Sequence, residues 1–111
     1  MRACCTGARI IRLVEALPKT LVCRRIADQL LRSGMAVGAN YEEAQGAESR
    51  VDFSHKLQIA LKELRESNYW LRLLDVTGKV PGDRLADIID ESTQLRAILS
   101  KAVATTKANM K

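Results

Sequence analysis

Residues 49–78 read SRVDFSHKLQIALKELRESNYWLRLLDVTG, and this stretch decides the fold. Phe53, Leu57, Ala60, Leu61, Leu64, Leu71 and Leu74 recur at the three- and four-residue intervals of a helical stripe. Ser49, with Asp52 three residues on, resembles a capping box that places an acid in the first turn, and Gly78 supplies the C-terminal stop. The spacing therefore predicts a helix over 50–76, roughly 40 Å long at ~1.5 Å per residue.

Upstream, Thr20 is placed to cap a helix over 20–44 that carries Cys23, Ile26, Ala27, Leu30, Leu31, Gly34, Val37, Gly38 and Tyr41 on a 3–4 spacing. Each glycine costs about 1 kcal/mol against alanine inside a helix, so the pair points to close helix-to-helix approach. Before it, Ile10, Leu13, Val14 and Leu17 define a helix over 7–17 that Pro18 ends. Downstream, Pro81-Gly82-Asp83 opens a helix over 83–105 with Leu85, Ile88, Ile89, Leu95, Ile98, Leu99 and Val103. The start of the chain, with Cys4 and Cys5, and the residues after about Thr105 are expected to fray. Four amphipathic helices with short connections imply an all-α, antiparallel up-down four-helix bundle, one domain over residues 1–111. Its expected core includes Leu30, Val37, Leu57, Leu64, Leu71, Leu95 and Leu99.

Composition agrees with helices: 47% of residues are hydrophobic, only 4% are aromatic, and Gly and Pro are few. No run approaches the ~20 apolar residues of a membrane span, and the first residues lack the apolar block of a signal peptide, so a cytoplasmic protein is expected. Three cysteines with no C-x-x-C pair and a single histidine, His55, make neither a disulfide framework nor a zinc site. Cys23 reads as a small core hydrophobe. Phosphate-binding, metalloprotease and nucleophile-elbow motifs are absent, so no enzyme activity, cofactor or metal is expected.

The formal charge is +5, and residues 1–34 hold seven basic against two acidic side chains. Such asymmetry suggests a polyanionic partner, RNA or DNA, although a solvated basic face reads equally well. Arg25 and Arg32, about two helical turns apart, should point in similar directions, and Arg24 is adjacent to Arg25 on the same helix. Arg12, Arg50 and Lys56 complete the candidate nucleic-acid contacts, which would grip phosphates rather than read bases. Glu42, Glu43, Glu63 and Glu66 are expected to form a polar cluster satisfied by Arg32, Asn40 and Arg65. Tyr69, Trp70, Leu71, Leu73 and Leu74 spread over about 200° of the third helix, roughly twice a single core stripe. Tyr69, Trp70 and Leu73 are therefore candidates for a homo-oligomer interface, unless this helix is simply the most buried of the four.

The run Ile26 to Gly34, followed by Val37-Gly38-Ala39-Asn40-Tyr41-Glu42-Glu43-Ala44, resembles the four helix bundle protein family, whose members include 23S rRNA-intervening sequence proteins. The likeness continues through Ser49, Asp52-Phe53, Lys56-Leu57, Ile59 to Glu63 and Tyr69-Trp70-Leu71, and covers the fourth helix in pattern only. Met35-Ala36 and Arg65 depart from the family pattern. Relatives include the accessory protein of diversity-generating retroelements, a five-membered ring with a basic surface that engages nucleic acid and a reverse transcriptase. The resemblance thus implies a homopentamer and an adaptor role, with a reverse transcriptase as a partner. The competing expectation is a structural or protein-interaction module whose basic residues only keep it soluble.

Overall fold

The computed structural model describes residues 2–110. Four helices follow one another: α1 (Arg2–Ala16), α2 (Leu21–Gln45), α3 (Arg50–Val76) and α4 (Gly82–Asn109). Their ends follow from local chemistry. The Thr20 hydroxyl accepts the Cys23 N–H (3.2 Å), and Ser49 accepts the Asp52 N–H (3.0 Å), so each satisfies a donor that the first turn leaves free. Gly78 takes φ +66°, which lets the Lys79 N–H return to the Leu74 carbonyl (3.3 Å) and close α3. Lys107 lies in the last turn of α4, where a cation opposes the helix dipole.

The helices pack as an antiparallel up-down bundle, with α2 against α1 and α3, and α4 against α3 and α1. Cross-helix partners show the register: Lys56 meets Glu43 and Ser67 meets Ser33, so residue numbers rise on one helix as they fall on the next. Two apolar clusters divide the interior. One draws Val37, Leu57, Leu61, Leu64, Leu95, Leu99 and Val103 from α2, α3 and α4 alone. The other takes Ile10, Leu13 and Leu17 from α1 together with Ile26, Leu30, Leu71, Leu74, Leu85 and Ile88. With only 15 residues, α1 spans one half of the bundle beside partners of 25 to 28.

A polar layer crosses the bundle between these clusters, and periodicity does not reveal it. Ser67 Oγ donates to Ser33 Oγ (2.8 Å), Asn68 donates to Ser92 (2.7 Å) and Thr93 (3.2 Å), and Arg96 donates to Asn68 Oδ1 (3.4 Å). On the α1 side, Thr6 and Arg9 donate to the two carboxylate oxygens of Glu91 at 2.7 and 2.6 Å. Among the described residues no buried side-chain polar atom lacks a partner, as burial demands.

The expected core residues Leu30, Val37, Leu57, Leu64, Leu71, Leu95 and Leu99 are all buried, as is Cys23. Three expectations change. Cys4 and Cys5 lie inside α1, exposed, because Thr6 and Ile10 are anchored and hold the helix to its first turns. α4 runs past Thr105 to Asn109, and Thr106 bonds back to the Ala102 carbonyl (2.8 Å). Ile98 is 47% exposed, since Leu95, Leu99 and Val103 already define the inward face. At Gly34 an added Cβ would sit 2.7 Å from Ile10 Cδ1, so this glycine does mark the close approach of α1 to α2.

Candidate nucleic-acid interface

The two shoulders of α3 differ in charge. On the α2 side, Arg32 bonds Glu63 (2.8 Å) and Glu66, and its Nε reaches Gln29 (3.4 Å). The Trp70 indole donates to the same Glu66 carboxylate (3.1 Å). The indole N–H first, and then the guanidinium, hold the Glu66 carboxyl below the ordinary range, against partial desolvation. The two carboxylates in turn raise the Arg32 guanidinium above its ordinary value. Lys56 pairs with Glu43 (2.8 Å), which raises the ammonium. Arg32 and Lys56 are thus engaged by acids within the chain, and neither is a free cation for phosphate.

The expected Glu cluster forms only in part. Asn40 bonds its own helix at the Ala36 carbonyl (2.9 Å), and Arg65 lies on the opposite shoulder of α3. Glu42 is exposed. The network is a surface one rather than buried, since half of the Arg32 side chain stays in solvent.

Of the remaining candidates, Arg12, Arg24, Arg25 and Arg50 are exposed, with no carboxylate among the described residues within ion-pair distance. Arg12 joins Arg9, Arg84 and Asp87 in a cleft of about 340 Å³ between α1 and α4, over Leu13 and Ile88. Tyr69 is half exposed and stands edge-on to Trp70, with ring centroids 5.1 Å apart. Trp70 and Leu73 are half-buried against the α1-containing core cluster, which absorbs much of the broad apolar arc of α3.

A further basic surface escapes the sequence reading. The groove between α3 and α4, about 340 Å³, is lined by Gln58, Leu61, Arg65, Ser100, Val103, Ala104 and Lys107, two cations and no acid. A signal for it did exist in the sequence, because residues 92–110 contain Arg96, Lys101 and Lys107 and no Asp or Glu. Summing charge along segments concealed it, since Arg65 shares its stretch with the acids that Arg32 neutralises from the other side.

The chain matches the family described as 23S rRNA-intervening sequence protein over residues 1–101. The chain belongs to this family. Lys107 lies beyond the matched span, whereas Arg65, Arg72 and Arg96 lie within it. A crystal structure of a protein of unknown function from the S23 ribosomal protein family of Bacteroides thetaiotaomicron has the same fold, with a TM-score of 0.83. It shares 36% identity with this family member, covering 92% of this chain and 94% of that one. No curated protein matches. Among the described residues, no helix is long and apolar enough to cross a membrane.

Proposed function

We propose that this chain is a non-enzymatic, homo-oligomeric adaptor that binds nucleic acid through its basic surface. The observation that carries the reading is the α3–α4 groove, whose lining has cations without a compensating acid. A surface of this kind attracts phosphates and releases counterions from them. Exposed Arg12, Arg24, Arg25 and Arg50 add positive charge elsewhere on the surface.

Assembly is the second element of the proposal. Trp70 and Leu73 remain part-exposed on the α2 side of α3, and Leu21, Val22 and Val76 are exposed apolar side chains where α2 begins and α3 ends. Copies of the chain meeting through this end would bury them, and the family resemblance favours a ring of five in the cytoplasm with a reverse transcriptase as its protein partner. Light scattering should return about five times the 12.3 kDa chain mass, and a mass of one chain at micromolar concentration removes the oligomer.

The second reading, a structural or protein-interaction module, is favoured by the internal neutralisation of Arg9, Arg32 and Lys56. Gel shifts at low salt separate the two. Retarded RNA or DNA at tens of micromolar protein is the outcome expected of the adaptor, and unshifted nucleic acid of every form leaves the structural module.

A further inference from the structure

The α3–α4 face combines positive charge, an exposed aromatic ring and a narrow width. At ~100° per residue, Gln58, Arg65, Tyr69 and Arg72 fall within about 60° of one another on α3. All four are exposed. From Gln58 to Arg72 the helix rises about 21 Å. Across the groove, Arg96 and Lys107 lie on α4, and Arg96 is oriented by its bond to Asn68 in the polar layer. The acids of α3 between Gln58 and Arg72 are Glu63 and Glu66, both held by Arg32 on the far shoulder. Tyr69 lies on this stripe by its position on the helix, and its half-exposed ring stands edge-on to the Trp70 indole.

We infer that this groove is a track for single-stranded nucleic acid, in which Arg65, Arg72, Arg96 and Lys107 meet successive phosphates and Tyr69 stacks on a base. Cations that follow a backbone beside an aromatic platform are how proteins hold single strands without reading sequence. Helices in contact lie about 8–10 Å apart, so the groove between them can seat one strand along its length, whereas a duplex meets only its rim. This inference rests on the nucleic-acid reading above, and it replaces the N-terminal arginines with the α3–α4 face as the principal contact.

The test is fluorescence anisotropy of the full chain, in its own assembly state, with a labelled 20-nucleotide oligouridylate, an oligothymidylate of the same length and a 20-base-pair duplex. Wild-type protein should bind the single strands at least tenfold more tightly than the duplex. With four phosphate contacts per strand, affinity should fall about 50-fold between 50 and 200 mM salt. Arg65→Glu with Lys107→Glu should weaken single-strand binding at least tenfold, and Arg65→Gln with Lys107→Gln should do so to a smaller degree with an unaltered circular dichroism melt. Tyr69→Ala should weaken it at least fivefold without changing the salt slope. Lys19→Glu with Lys79→Glu makes the same change of net charge in the loops and should alter affinity less than threefold. If the groove variants bind like wild type while Arg24→Glu with Arg25→Glu abolishes binding, the track is overturned and the adaptor reading stands. Equal affinity for duplex with a silent Tyr69→Ala also overturns it. Wild-type protein that binds none of the probes at low salt removes both.

Discussion

Asn68 of α3 and Ser92 of α4, each nearly inaccessible to solvent, are joined by a 2.7 Å hydrogen bond in the layer between the two apolar clusters. Removing one member of a buried pair leaves the other to bear its desolvation, while removing both is far cheaper. Asn68→Ala should therefore destabilise the bundle by about 1–3 kcal/mol. Ser33→Ala with Ser67→Ala, which deletes both ends of the neighbouring bond, should cost less than Asn68→Ala. Urea unfolding of the variants compares the two directly.

Leu64 is wholly buried between α2 and α4, whereas Ile98 is nearly half exposed. Leu64→Ala should cost about 2–5 kcal/mol through lost burial and the cavity left behind. Ile98→Ala should stay within about 0.5 kcal/mol. Denaturant midpoints that fell equally for both would mean that α4 is rotated from the phase described.

Gly34 faces Ile10 at a distance that leaves no room for a β-branched side chain. Gly34→Val should destabilise by about 1–3 kcal/mol through overpacking. Ile10→Ala, destabilising alone, should cost less in the Gly34→Val background because it vacates the contested space. A double-mutant cycle from thermal melts measures that coupling.

The Trp70 indole and the Arg32 guanidinium hold the folded-state Glu66 carboxyl below its unfolded value. A group so depressed contributes stability above its unfolded pKa and loses it as pH falls through the folded one. The melting temperature should thus decline below the ordinary carboxylate range, and less steeply in Glu66→Gln. Trp70→Phe, which removes the indole donor, should also flatten the decline. Melts between pH 7 and pH 3 for the three proteins check this, and an equal decline in all of them assigns the acid sensitivity to other carboxylates.

What the chain determines locally was legible in its order of residues. Thr20, Ser49, Pro18 and Gly78 act on their own neighbours, and the apolar spacing from Phe53 to Leu74 sets a helical face whatever lies against it. The four helices, their antiparallel sequence and the buried leucines follow from those signals, together with short connections. Tertiary structure decided which charges are spent. Arg65 looks as ready as Arg32 to meet the glutamates, and Lys56 as available as Lys107, yet Arg32 and Lys56 find carboxylates across the α2–α3 seam whereas Arg65 and Lys107 find none among the described residues. Arg65 and Lys107 share a groove only because α4 returns antiparallel beside α3, and Ser33, Ser67, Asn68 and Ser92 form one layer only once the register of three helices is set. Capping and periodicity act over three or four residues, whereas charge pairing depends on distances between helices that no local spacing encodes.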